Sequence, residues 1–191
     1  MIITDKLVFI HSPRTGGNSF EDGLINCGID FLKYERHTGA RFIKKYLGEQ
    51  KFYFTVRNPF DQLISRYEYA VQTNLKEKKF EKYTAFKHWL NEIWSDDIEI
   101  FLQNYISNGV AHITEEFKVI ADYDYVILLD YEKLNEQLNQ IMKQHYNIDE
   151  FVDYMPKTKN SFKSVNSGKL EGYRKAIEQI EVYVVERMKK F

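Results

Sequence analysis

The sequence predicts an α/β fold with a mainly parallel sheet flanked by helices. Three observations carry that prediction. Short apolar, aromatic or β-branched runs recur at 7–11, 52–56 and 125–129. Each is followed by apolar residues at helical spacing, and polar turn residues separate the two kinds of segment. The length of 191 residues, with 43% hydrophobic and 29% charged, suits a single folded domain over 1–191 and not a disordered chain.

The elements follow in order. Leu7–His11 (LVFIH) is a strand, and Ser12-Pro13-Arg14-Thr15-Gly16-Gly17 is the loop after it. Phe20, Leu24 and Cys27 then mark a helix that Gly28 is suited to end. Ile29–Leu32 is a second strand candidate, and Ala40, Ile43 and Leu47 mark a helix stopping near Gly48. Phe52–Val56 (FYFTV) has the aromatic and β-branched content of a strand. Asn58 as N-cap, Pro59 on the first helical position and Asp61 three residues after the cap open a helix to about Leu75. Its Phe60, Leu63, Ile64, Tyr67 and Val71 form one stripe.

Residues 76–82 (KEKKFEK) are a charged connector, Phe86–Trp94 has helical character, and 95–118 shows no clear period. Tyr125–Leu129 is a buried strand, and Asp130 caps a helix from Tyr131 to about His145. Asp149–Lys169 is a long polar loop. Leu170, Tyr173, Ile177, Ile180, Val184 and Met188 lie on one last amphipathic helix.

Composition removes several function classes. Lys and Arg total 27 against 28 Asp and Glu, so the net charge of -1 argues against a general nucleic-acid binder. The single Cys27 can form neither an intrachain disulfide nor a cysteine-based zinc site. The stretch Met1–Lys6 lacks the basic start and apolar run of a signal peptide, and no apolar stretch approaches ~18 residues. The expectation is a cytoplasmic protein without a membrane span. His11, His37, His88, His112 and His145 show no metal-ligand spacing, and no metal is expected.

The first loop has the chemistry of an anion site. Ligands of such sheets bind at the carboxyl ends of the strands. Gly16 and Gly17 allow a tight curl, and the helix start that follows directs unpaired N–H groups outward. Arg14 adds a cation, and Thr15, Asn18 and Ser19 add neutral donors. The competing reading is a plain strand-to-helix turn in which Ser19 caps the helix. A nucleotide triphosphatase loop would require Gly-Lys-Ser/Thr, which does not occur in the chain.

Two segments resemble a known family. Ile10-His11-Ser12-Pro13-Arg14-Thr15-Gly16-Gly17-Asn18-Ser19-Phe20 resembles the loop of sulfotransferases that use 3′-phosphoadenosine 5′-phosphosulfate (PAPS), typically I-H-x-P-K-T-G-G-T-S. Phe54-Thr55-Val56-Arg57-Asn58-Pro59-Phe60-Asp61-Gln62-Leu63-Ile64-Ser65-Arg66-Tyr67 resembles that family's second motif, F-x-V-R-[ND]-P-x-x-R-L-x-S-x-Y. The resemblance covers roughly residues 7–75 and continues loosely through 125–145. It is nearest to carbohydrate O-sulfotransferases of the heparan-sulfate 2-O type and their bacterial relatives. It implies a P-loop-like three-layer domain and sulfuryl transfer from PAPS, without a metal, to an acceptor hydroxyl of a carbohydrate.

By that resemblance, Arg14, Thr15, Gly16, Gly17, Asn18 and Ser19 hold the 5′-phosphosulfate, and Arg57 with Ser65 holds the 3′-phosphate. The guanidinium of Arg57 is shaped for two phosphate oxygens. The plainer alternatives are an Arg57 paired with Asp61 and a solvent-facing Ser65 on the polar side of its helix. Arg14 and Asn18 stand where the family usually has lysine and threonine. Arginine occupies the first place in groups acting on protein tyrosine.

His37 is the candidate base, in the interval where the 2-O type has its histidine, and imidazole accepts a proton near neutral pH. Glu35 is the rival, because the tyrosine-directed enzymes use a glutamate there. Lys157, Lys159, Lys163, Lys169, Asn160, Asn166 and Tyr173 fall in a region that approaches nucleotide and acceptor in the family. A solvated basic loop is the equal alternative. Two further readings stand beside the first, a P-loop-type nucleotide kinase and a family member that binds nucleotide without turnover.

Overall fold

Five strands form one mixed sheet in the computed structural model, which describes residues 1–12, 14–34, 50–72, 93–121, 123–151 and 167–189. They are β1 (Ile2–Ile3), β2 (Val8–His11), β3 (Leu32–Lys33), β4 (Phe52–Val56) and β5 (Val126–Asp130), in the spatial order β3-β1-β2-β4-β5. β2, β4 and the edge strand β5 are parallel, with Phe9 beside Tyr53 and Tyr53 beside Ile127. The two-residue β1 runs antiparallel to both β2 and β3. Thr4 makes the tight return to β2, its hydroxyl oxygen accepting from the N–H groups of Lys6 and Leu7 at 3.2 and 3.1 Å. The sheet is therefore mixed, parallel on the β2-β4-β5 side and antiparallel on the β3-β1-β2 side.

The helices among the described residues are α1 (Gly17–Asn26), α2 (Pro59–Gln72), α3 (Ile98–Asn108), α4 (His112–Ala121), α5 (Leu134–Tyr146), α6 (Ser167–Ile180) and α7 (Val182–Met188). A 3-10 turn at Tyr131–Lys133 precedes α5. None of them is long and apolar enough to cross a membrane. The expected helices at 40–47 and 86–94, and the connector at 76–82, lie outside the described residues apart from Ile93 and Trp94. The chain divides into two units, Met1–Asn58 with Glu116–Lys157 and Lys190–Phe191, and Pro59–Glu115 with Thr158–Lys189.

The first unit contains the whole sheet. Alternation along the strands sends Phe9 and Leu129 to one face and Phe54 to the other. Phe20 and Leu24 of α1, Leu134, Leu138 and Met142 of α5, and Phe151 pack on the first face. Phe9 stacks on Phe20 with ring centroids 4.2 Å apart. Phe117 of α4 meets Phe54 on the opposite face at 5.7 Å. Gly28, in the left-handed region at φ 66, ends α1 as expected, its N–H bonded to the carbonyl of Ile25 at 3.1 Å.

The second unit is helical, and its interior contains buried polar side chains such as Arg66, Glu68 and Glu181 among apolar ones. From Phe60 to Glu68 every side chain of α2 except Asp61 is buried, while Val71, expected on the apolar stripe, is 48% exposed. A stripe one residue wide therefore does not describe this helix, which is enclosed nearly all round. The stretch 95–118, without visible period, contains α3 and most of α4. Its caps are conventional: the Asp97 carboxylate accepts from the N–H groups of Glu99 and Ile100 at 2.8 and 3.2 Å, and Gly109 ends α3 at φ 65.

The single last helix expected from 170 to 188 is broken at Glu181. This residue is 0% exposed, and its carboxylate accepts from the N–H groups of Ile113 and Thr114 at 3.0 and 2.6 Å and from the Tyr105 hydroxyl. It thus satisfies first-turn N–H groups of α4, which have no partner within their own helix. Burial, with the carboxylate beside it, pushes the Tyr105 hydroxyl pKa far up, so the phenol stays protonated and donates.

Removing that acceptor leaves three buried donors without it. Glu181→Ala should lower unfolding free energy by about 3 kcal/mol, and Tyr105→Phe by about 1–2 kcal/mol, in urea denaturation. The double variant should lose less than the sum, because both changes remove the same hydrogen bond.

Candidate anion site at the carboxyl edge of the sheet

His11, Thr55 and Leu129 lie side by side in β2, β4 and β5. The segments that leave these strands, Ser12 to Gly16, Arg57 and Tyr131, accordingly start from one edge of the sheet. All belong to the first unit.

The turn after β2 is built around two left-handed residues, Arg14 at φ 67 and Gly16 at φ 87. Gly16 is the N-cap of α1, with no side-chain cap and no acidic residue in the first turn. The helix starts with the Phe20 N–H bonded to the Gly16 carbonyl at 3.1 Å. Ser19 is therefore not the cap, and the positive end of the helix dipole has neither a capping oxygen nor a carboxylate of its first turn against it. Arg14 and Asn18 are exposed beside it. Thr15 is buried, and its hydroxyl donates to the Ser12 carbonyl at 2.8 Å, so it holds the turn together.

Gly17 is fixed by packing. A Cβ there would lie 2.2 Å from the His11 ring, so the imidazole occupies the space a side chain would need. That ring stacks on Phe9 with centroids 6.1 Å apart. His11 thus sets the closeness of strand end and helix start by shape.

Arg57 does more than leave its strand at the carboxyl end. It is 5% exposed, its Nη1–H donates to the Arg14 carbonyl at 3.1 Å, and its guanidinium lies over the Tyr131 ring at 4.3 Å. The left-handed conformation of Arg14 costs about 1–2 kcal/mol. A hydrogen bond from a charged donor contributes about 1.5–3 kcal/mol, enough to hold it.

Asp130 plays its expected part, its carboxylate accepting from the Glu132 N–H at 3.0 Å as cap of the 3-10 turn. No group of three or more His, Cys, Asp or Glu suited to a metal occurs among the described residues.

The remaining candidates belong to the second unit or lie outside the described residues. Ser65, one turn after Asp61 on α2, is 1% exposed, so the expectation of a solvent-facing polar side is corrected: α2 is enclosed there. Asp61 accepts from both terminal nitrogens of Arg174, at 3.2 and 2.9 Å. On α6, Lys169 pairs with Glu99 at 3.1 Å, and the Tyr173 hydroxyl accepts from Gln103 at 3.0 Å. Both thus hold α6 on α3. Glu35, His37, Lys157, Lys159, Asn160, Lys163 and Asn166 lie outside the described residues.

Two features escaped the sequence reading. One is the Tyr131 ring against Arg57, whose only sequence mark is an aromatic residue directly after a strand end. The other is the contact of His11 with Gly17, marked only by the glycine pair.

Gly17→Ala should destabilise the protein by about 1–3 kcal/mol through overpacking against His11. Pairing it with His11→Ala should recover part of the loss, a coupling that a thermodynamic cycle in urea would read. Arg14→Gly, which relieves the left-handed backbone, should leave the melting temperature unchanged or higher while weakening anion binding.

Comparison with protein-family models, curated proteins and solved structures finds no match to this chain.

Proposed function

We propose that this protein transfers a sulfuryl group from PAPS to an acceptor hydroxyl of a carbohydrate, on a P-loop-like three-layer fold. The observation that carries the reading is the start of α1. Gly16 caps it without a side chain, its first turn has no carboxylate, and the exposed Arg14 stands beside it. That combination suits a doubly charged phosphosulfate, which needs short-range N–H donors and a cation. The parallel β2-β4-β5 half of the sheet supports the fold reading, and the balanced charge of the chain argues against a general nucleic-acid partner.

When bound, the donor supplies the sulfuryl group: an acceptor oxygen bonds to sulfur as the sulfur bond to the 5′-phosphate oxygen breaks. The chain's own contribution is positioning and charge, as in phosphoryl transfer. Backbone N–H groups at Gly17, Asn18 and Ser19 orient the anion, and Arg14 balances charge on the leaving phosphate. In this reading Arg57 and Ser65 hold the 3′-phosphate, while the acceptor proton passes to His37, with Glu35 as alternative base.

Adenosine 3′,5′-bisphosphate should bind without magnesium, and about ten- to a hundredfold more tightly than adenosine 5′-monophosphate, by calorimetry. Equal affinities would remove the 3′-phosphate assignment, and stabilisation by ATP with magnesium alone would favour a kinase. With labelled PAPS and an acceptor, His37→Ala should lower turnover by ~10²–10⁴ with nucleotide affinity nearly intact. The rate should fall on the acid side as the imidazole takes its proton, and that limb should vanish in the variant. An inactive Glu35→Gln beside an active His37→Ala would move the base to Glu35.

A further inference from the structure

We infer that Tyr131 is a positioning residue for the anion loop: its ring fixes the plane of the Arg57 guanidinium, and Arg57 in turn fixes the Arg14 carbonyl. The inference rests on the proposed function and names a residue that the two motifs do not contain. An arginine side chain has many rotamers, and its N–H groups all lie in the guanidinium plane. Stacking on an aromatic face selects one plane and leaves the N–H edges free to bond within it. Here the guanidinium carbon is 4.3 Å from the ring centroid and Nη1 is 3.1 Å from the Arg14 oxygen. One face thus meets Tyr131 while the edge holds the turn.

The ring is itself held. Tyr131 opens the 3-10 turn directly after β5, and Asp130 anchors that turn from both sides of its backbone. Its carboxylate accepts from the Glu132 N–H at 3.0 Å, and its own N–H donates to Gln137 at 2.9 Å. A continuous set of contacts therefore runs from the end of β5 through Tyr131 and Arg57 to Arg14, two residues before the cap of α1. The ring face, and not the hydroxyl, is the part of Tyr131 this arrangement uses.

The test is calorimetry of the full chain with adenosine 3′,5′-bisphosphate, with the urea midpoint of each variant recorded. Tyr131→Phe should bind within about twofold of the unaltered protein, and Tyr131→Leu about tenfold more weakly while still folded. If Tyr131→Leu does not fold, Tyr131→Met, which fills similar volume without a ring face, should show the same weakening. A folded Leu or Met variant that binds like the unaltered protein overturns the inference and leaves the proposed function standing. Weak binding by Tyr131→Phe also overturns it, by giving the role to the hydroxyl. No binding by the unaltered protein removes the proposed function, and this inference with it.

Discussion

The hydrogen bond from Arg57 to the Arg14 carbonyl is the constraint on which the candidate site depends. It joins residues 43 apart in sequence at the carboxyl edge of the sheet. Arg14 alone would not keep a left-handed backbone, since nothing in an arginine side chain favours it. With the turn held there, Gly16 can take its own left-handed conformation and α1 can start against His11. The parallel register of β2, β4 and β5 is the precondition, because it brings the three strand ends to one edge.

That dependence separates two arginines that the sequence presents alike. Arg57 is buried, and at least one of its donors serves the protein backbone, so its charge works partly on the turn itself. Arg14 is exposed, and its backbone is held while its side chain reaches solvent. Replacing Arg57 therefore disturbs the shape of the site as well as its charge, whereas Arg14→Gly exchanges a charge for a relaxed backbone. A reading based on charge alone would expect the two to behave alike.

How much was legible in the sequence follows the range of the forces involved. Val8–His11, Phe52–Val56 and Val126–Asp130 were visible as runs of strand-forming residues, and the Asp130 cap and the Gly28 stop as local chemistry. Val126–Asp130 is, however, an edge strand with Ile127 37% exposed, and not the buried strand expected. The features that make the first loop a candidate anion site were legible because glycine, arginine and a helix start are adjacent in the chain. β1 was not, since two residues of Ile2–Ile3 carry no period and pair only because Thr4 turns the chain back. α3 and α4 were hidden by exposed apolar residues such as Ile100 and Val110, which blur the helical period although Asp97 and Gly109 mark the ends of α3. The break at Glu181 depends on Tyr105, Ile113 and Thr114, partners far away in sequence that no window reveals.

The balance of charges bears on what kind of recognition this edge can perform. A chain of net charge -1 has no general attraction for anions, so long-range steering contributes little. In the proposed function, recognition comes from donors within a few ångströms: the first-turn N–H groups of α1, the Arg14 cation and the amide of Asn18. Such donors act on a compact, highly charged group and lose little to salt, because they work at contact distances well inside the ~8–10 Å screening length. They also require their geometry to be set before the ligand arrives, since no excess charge compensates for a misplaced N–H. The packing of His11 on Gly17, the bond of Thr15 to Ser12 and the stack of Arg57 on Tyr131 each remove one freedom from the turn. In a weakly charged protein, these contacts are how an anion site can be made selective.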